Sequence, residues 1–265
     1  MKLTSLPIGI FDSGVGGTSI WKEIKTLLPH ENIIYLSDSK NAPYGEKSKQ
    51  EIIDLSIKNT ELLLQENCKL IVVACNTATT NTIKILRKMY SIPFIGIEPA
   101  IKPAALSTKT NNIGILATKG TLNSELFEKT ANAITKEITT KETIGKGLVE
   151  LIENGKINSS EMKKLLSSYI EPMIQDRIDC LVLGCTHYPY LIPQIREITG
   201  DKIQIIDSGE AVAKQTKTIL EKHQLLNSST KKGTHQFYIN KNKKVLEMLI
   251  SNNNNEVIVI TETDF

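Results

Sequence analysis

Short apolar runs alternate with longer amphipathic stretches along most of the chain. Ile8–Phe11, Ile33–Leu36, Leu70–Ala74, Phe94–Ile97, Ile113–Leu116, Leu181–Leu183 and Ile203–Ile206 are brief, mostly β-branched or leucine-rich, and bounded by polar residues or glycine. Runs of this kind mark strands buried on both faces of a parallel sheet. Between them lie stretches with helical spacing, such as Ile52, Leu55, Ile57, Leu62 and Leu63. Ser48, followed three residues later by Glu51, predicts a capping box opening that helix. Strand and helix signals in alternation predict an α/β fold with mainly parallel sheets. The polar breaks Lys109–Asn112 and Asn227–Gly233 are short, and a Ser/Asn run, Ser251–Asn255, precedes a last predicted strand, Val257–Ile260.

The pattern also repeats. Ile8-Gly9-Ile10 returns as Ile113-Gly114-Ile115, 105 residues later; Val72-Val73-Ala74-Cys75 returns as Leu181-Val182-Leu183-Gly184-Cys185, with the cysteines 110 apart; Ile97-Glu98 matches Ile206-Asp207 at an offset of 109. One match would mean only that buried strands look alike. All of them in the same order predict two pseudo-symmetric α/β units rather than a many-fold solenoid.

Composition narrows the class. At roughly 150 residues per domain, the length suits one large domain or two small ones. With 40% hydrophobic and 23% charged residues in 265, the chain reads as an ordinary globular protein. A formal net charge of +3 predicts neither nucleic acid nor an anionic membrane surface as partner. The apolar runs fall far short of the ~20 residues that cross a bilayer, and Met1-Lys2-Leu3-Thr4-Ser5 leads into a strand with no signal-peptide core. Four cysteines in so long a chain are not a disulfide scaffold, which predicts a reducing, cytoplasmic home.

Two of those cysteines carry candidate chemistry. Cys75 and Cys185 each follow a buried strand and precede a threonine-containing turn, Asn76-Thr77-Ala78-Thr79-Thr80 and Thr186-His187-Tyr188-Pro189. In an open parallel sheet that is the C-terminal strand end, where ligands bind and where the next helix aims its N–H groups at an anion or a thiolate. Were the two units to face each other, the thiols would flank one cleft. Cys68 and Cys180 lie at the other ends of those strands and read as buried structural cysteines. The spacings Cys68-x6-Cys75 and Cys180-x4-Cys185 are neither a zinc pattern nor a CxxC redox pair, so no metal is expected.

The glycine-rich loop Phe11-Asp12-Ser13-Gly14-Val15-Gly16-Gly17 follows the first strand but matches neither nucleotide-binding pattern. Asp12 there suits a cationic amine or a general-base network better than a phosphate. Asn41-Ala42-Pro43-Tyr44-Gly45 follows the second strand at the same sheet edge, and His187 is placed to exchange protons with Cys185. His30, His223 and His235 read as residues of loops or solvated faces.

Taken together, Ile10–Gly17, Ala42-Pro43-Tyr44-Gly45, Val73–Ala78, Leu183–Pro189 and Ile206-Asp207-Ser208 resemble the glutamate racemases of the cofactor-independent Asp/Glu racemase superfamily, in the same order over almost 200 residues. The chain departs from the family pattern at Ser37-Asp38-Ser39-Lys40-Asn41 and matches it loosely at Lys146–Glu153, where Glu153 fits a functional acid better than Glu150. The resemblance implies two domains, residues 1–97 plus 208–265 and an inserted 98–207, with the active site in the cleft between them. It implies D- and L-glutamate as substrate, no cofactor, and a place in the synthesis of bacterial peptidoglycan, with a homodimer among the family's assemblies. It casts Cys75 as base for the D-isomer and Cys185 for the L-isomer, with Asp12 assisting the first and His187, with Glu153, the second. Ser13, Asn76, Thr77, Thr118, Thr121 and Thr186 become the donors around the α-carboxylate and amine. Pro43, Tyr44 and Gly45 hold the side-chain carboxylate, largely through backbone N–H groups. Three other readings remain open from the residues: an aspartate racemase or other thiol-dependent relative, a cysteine hydrolase built on Cys185 and His187, and a non-catalytic amino-acid binder.

Overall fold

The computed structural model describes residues 3–133, 137–251 and 258–265. Its strands are β1 Ile8–Asp12, β2 Ile33–Ser37, β3 Leu70–Val73, β4 Phe94–Gly96, β5 Asn112–Ala117, β6 Thr139–Ile144, β7 Cys180–Gly184, β8 Gln204–Ile206, β9 His235–Ile239 and β10 Ile258–Glu262. The helices are α1 Thr18–Leu27, α2 Lys49–Gln65, α3 Asn76–Met89, α4 Ile101–Ser107, α5 Lys119–Leu122, α6 Glu125–Asn132, α7 Leu148–Glu153, α8 Ser160–Gln175, α9 Ile192–Thr199, α10 Gly209–Lys222 and α11 Lys243–Ile250.

Two parallel sheets result, ordered β10-β9-β2-β1-β3-β4 and β6-β5-β7-β8. The last four strands of the first, β2-β1-β3-β4, have the same order as the whole of the second, with β1, β2, β3 and β4 answered by β5, β6, β7 and β8. Register carries the correspondence to single residues. Ile8 pairs with Leu70 and Ile113 pairs with Cys180, so Cys75 and Cys185 sit at equal distances beyond matching positions. The two α/β units expected from the repeat are therefore present. The chain leaves the first sheet after β4, builds the second, and returns to add β9 and β10 beside β2.

Alternation along the strands divides the core. Ile8 and Ile10 of β1 join Leu181 and Leu183 of β7 in one cluster that runs across both sheets, while Phe11, Ile71 and Val73 face a second cluster. Such wide apolar burial is the main favourable term in folding. Helix α2 opens as expected: the Ser48 hydroxyl caps the Glu51 N–H, and the Glu51 carboxylate accepts from the Ser48 N–H at 2.9 Å.

Several expectations need correction. Strands β6 and β9 were not foreseen, because Thr139-Thr140-Lys141-Glu142-Thr143-Ile144 is an exposed polar edge and β9 starts on a histidine. That His235 is 3% exposed, not solvated, and its Nδ1 accepts from the Trp21 indole N–H at 3.4 Å. The last strand starts at Ile258; Val257 and residues 252–255 of the Ser/Asn run lie outside the described residues. Among the described residues no helix is long and apolar enough to cross a membrane.

Candidate active site

The two thiols are presented by matching devices. Each strand ends, the chain turns, and helical N–H groups follow. Cys75 is the N-cap of α3; its Sγ accepts from the Ala78 N–H at 3.4 Å and lies 3.6 Å from the Ser13 hydroxyl. Burial, and after it the Asp12 carboxylate, push this thiol well above its ordinary value, against partial relief from Ala78 N–H and Ser13. Cys185, following β7, has its Sγ 3.7 Å from His187 Nδ1.

Around the thiols the surroundings differ. Asp12 closes β1 and accepts from Ser13 N–H at 2.8 Å, Gly17 N–H at 2.5 Å and Thr186 hydroxyl at 3.0 Å. Burial raises the Asp12 carboxyl above the usual range, and the nearby His187 charge pulls it partly back. His187 Nε2 lies 2.6 Å from Glu153 Oε1, which also accepts from Val15 N–H at 2.7 Å. Burial alone would lower the imidazole, but the bonds and charges of Cys185 and Glu153 outweigh it and hold His187 well above its ordinary value. The polar path Cys75–Ser13–Asp12–Thr186 thus ends on the residue next to Cys185, across both sheets.

Two glycines of the Asp12 loop are spaces for these side chains. A Cβ on Gly14 would stand 1.9 Å from Glu153 Oε1, and one on Gly16 would stand 2.2 Å from His187 Nδ1. The loop is glycine-rich to admit an acid and an imidazole, not a phosphate.

A second group of expected residues forms the neighbouring wall. The hydroxyls of Thr77, Thr118 and Thr121 make a triangle with sides of 2.8, 3.0 and 3.2 Å. Gly45 packs on Thr118, where a Cβ would be 2.7 Å from the threonine Cβ. Tyr44 and Gly45 begin a 3₁₀ turn, Tyr44–Glu46, so their N–H groups have no acceptor within it. Pro43 precedes the turn, and its carbonyl accepts from Glu46 N–H at 3.5 Å. Asn76 lies between Cys75 and Thr77, 3% exposed, and neither its amide nitrogen nor its amide oxygen has a partner. Unpaired buried amides are costly and rare in folded proteins. This one stands directly beside Cys75.

The structure thus brings together Asp12, Ser13, Cys75, Asn76, Thr186, Cys185, His187 and Glu153, and beside them Tyr44, Gly45, Thr77, Thr118 and Thr121. Cys68 and Cys180 are buried and free, and burial pushes the Cys68 thiol up to about 12. Among the described residues no group of three or more His, Cys, Asp or Glu could hold a metal ion. A cavity of about 590 Å³ lies where the chain crosses between the sheets, lined by Glu98, Pro99, Lys102, Ser208 and Gln215, and neither thiol borders it. Sequence reasoning missed Tyr35, whose hydroxyl donates to Gly14 carbonyl at 2.7 Å and steadies the glycine loop. It is one more aromatic in a buried strand, and no local signal distinguishes it.

Known proteins are similar to this chain in sequence and in fold. A glutamate racemase of Herpetosiphon aurantiacus is 44% identical over 228 residues, 86% of this chain and 90% of that one. The fold superposes on the glutamate racemase of Francisella tularensis in complex with D-glutamate, with a TM-score of 0.84 and 28% identity, over 98% of each chain. It superposes equally, at 0.84 and 29% identity over 98% of this chain and 99% of that one, on the Escherichia coli glutamate racemase in complex with L-glutamate and the activator UDP-MurNAc-Ala. Residues 16–216 match the model of the Asp/Glu/hydantoin racemase family. With two strand-end thiols joined by one buried polar path, and with these relatives, the chain belongs to the Asp/Glu/hydantoin racemase family, among its glutamate racemases.

Proposed function

We propose that the chain interconverts L- and D-glutamate through two cysteines acting from opposite faces of the α-carbon. The observation that carries this reading is that Cys75 and Cys185, at matching strand ends, are joined through Ser13, Asp12 and Thr186, with the unpartnered Asn76 amide beside Cys75. In the L-to-D direction the Cys185 sulfur takes the α-proton, the C–H electron pair stays on the α-carbon and spreads into the carboxylate, and the Cys75 thiol returns a proton to the other face. In the D-to-L direction the roles exchange, and solvent protons reset the pair between turnovers.

The environments favour this division. A protonated His187, held by Glu153, stabilises negative charge on the adjacent Cys185 sulfur. The raised Cys75 is neutral at rest, ready to donate. When Cys75 must act as base, Asp12, itself raised by burial, is a matched acceptor for its proton. The carbanion-like transition state is stabilised by preorganised donors: Ser13, Asn76, Thr77, Thr118, Thr121 and Thr186 around the α-carboxylate and amine. The Tyr44 and Gly45 N–H groups take the side-chain carboxylate. The domains of this reading are 1–97 plus 208–265 and 98–207, its setting is the cytoplasm, and its product feeds peptidoglycan synthesis.

The test is racemisation of each isomer in deuterated water without added cofactor. Product of either direction should carry solvent deuterium at the α-carbon while early recovered substrate stays protonated. Cys75→Ala and Cys185→Ala should each lower racemisation by about 10³-fold or more. Full turnover in either variant would sink the two-thiol scheme. Accumulation of an acyl-enzyme on Cys185 would favour the hydrolase instead, which the Cys185–His187–Glu153 alignment would also serve.

A further inference from the structure

Behind the Tyr44–Glu46 turn lies a buried polar network that the chemistry above does not use. Its centre is Asp38, fully buried just after β2. One carboxylate oxygen, Oδ1, accepts from the side-chain amides of Asn240 at 2.6 Å and Asn41 at 2.8 Å. The other, Oδ2, accepts from the Tyr44 hydroxyl at 2.5 Å. That hydroxyl in turn accepts from the Asn59 amide of α2 at 3.0 Å. Asn240 does more than donate. It sits one residue past β9, and its Oδ1 accepts from the Lys40 N–H at 2.8 Å, so its amide clamps the loop at both Asp38 and Lys40.

The Tyr44 side chain is therefore buried, 1% exposed, with its hydroxyl used up on Asp38 and Asn59. What remains for a ligand is the backbone of the turn, held against Thr118 on one side. Tyr44 and Cys75 belong to the same buried cluster, so the anchored ring stands close to the reacting centre. The Asp38 carboxylate is satisfied by three donors, Asn59 keeps only its Oδ1 without a partner, and buried polar networks of this kind rigidify what they touch.

We propose that Asp38, Asn59 and Asn240 are positioning residues that set the distance between the thiols and the seat of the substrate's distal carboxylate, and so select glutamate's chain length. Asn240 belongs to the returning segment, outside the residues 16–216 that match the family model. The first sheet's extension by β9 thereby contributes to the site it borders. The inference rests on reading Tyr44 and Gly45 as that carboxylate's seat.

A distal carboxylate is held alike in ground and transition states, so loosening its seat raises KM and leaves kcat nearly unchanged. Asn240→Ala should raise KM for L- and D-glutamate about tenfold, with kcat within about threefold of the parent. The ratio of kcat/KM for glutamate to that for aspartate should fall with it. Tyr44→Phe, which keeps the ring and removes only the anchoring hydroxyl, should shift KM in the same direction and covers the case in which Asn240→Ala does not fold. A merely structural network would lower the active fraction and melting temperature while KM stayed at the parent value, and that outcome in the folded variants overturns the proposal. Absence of glutamate turnover in the parent protein would instead overturn the underlying reading, and the proposal with it.

Discussion

Burial works to strip the His187 imidazole of its proton, and the Cys185 sulfur at 3.7 Å together with the Glu153 carboxylate at 2.6 Å works to keep it there. The second influence wins, so the folded protein holds a proton that the unfolded chain, with its histidine near 6.5, gives up. Stability from this site is complete below pH 6.5 and is lost as pH rises through the raised folded value. For one proton the slope is at most about 1.4 kcal/mol per pH unit. Melting curves from about pH 6 to about pH 8 should show the decline in the parent and a flatter profile in His187→Gln; parallel profiles would mean the imidazole is neutral. At this scale the sequence was informative where chemistry is local. Cys75, Cys185 and His187 stand beside strand ends, and their surroundings can be read from their neighbours. Glu153 is different: it reaches His187 from 34 positions away, and only folding makes it that histidine's partner. Asp38 and Asn240, 202 positions apart, carried no signal at all.

Glycine positions decide how closely elements approach in the loop between β1 and α1. Gly16→Ala would drive a methyl into His187, so the imidazole must move off Cys185 while the β1 backbone stays in place. A fall of about 10²-fold in kcat/KM with a cooperative melt retained is expected, since small displacements at a reacting group are costly. Ser48→Ala, by contrast, removes one half of the α2 capping box and should cost about 1 kcal/mol in urea unfolding with kcat unchanged. Short, mostly apolar runs marked every strand of the two matching four-strand sets except β6. That strand is an edge with little to bury: only Thr140 and Thr143 are half-buried, and the other residues are exposed. β9 does alternate, His235, Phe237 and Ile239 inward, but a buried histidine hydrogen-bonded to Trp21 stands where an apolar residue would have given the pattern away.

The site is closed by contacts between parts of the chain that belong to different sheets: Asp12 with Thr186, Val15 with Glu153, Thr77 with Thr118, and Asn81, whose amide donates to the Gly120 carbonyl at 3.1 Å. Cys75 is 5% exposed and Cys185 7%, so binding of glutamate between the thiols is expected to part these contacts and re-form them. Glutamate should therefore slow hydrogen exchange at the amides of both walls together, Gly45 and Ala78 on one side and Thr121 on the other; protection confined to one sheet would contradict closure over the ligand. The repeat announced two units, but which sheet the final strands join was not legible, because a parallel strand's pattern does not name its neighbour. The dissimilar company of the two thiols, a carboxylate for Cys75 and an imidazole for Cys185, has a limit set outside the protein. Enantiomers have identical free energies in water, so the equilibrium constant is unity and kcat/KM must be equal in the two directions. Whatever Asp12 and the His187–Glu153 pair do differently can appear only as compensating changes, a faster turnover in one direction matched by a proportionally weaker hold on that isomer.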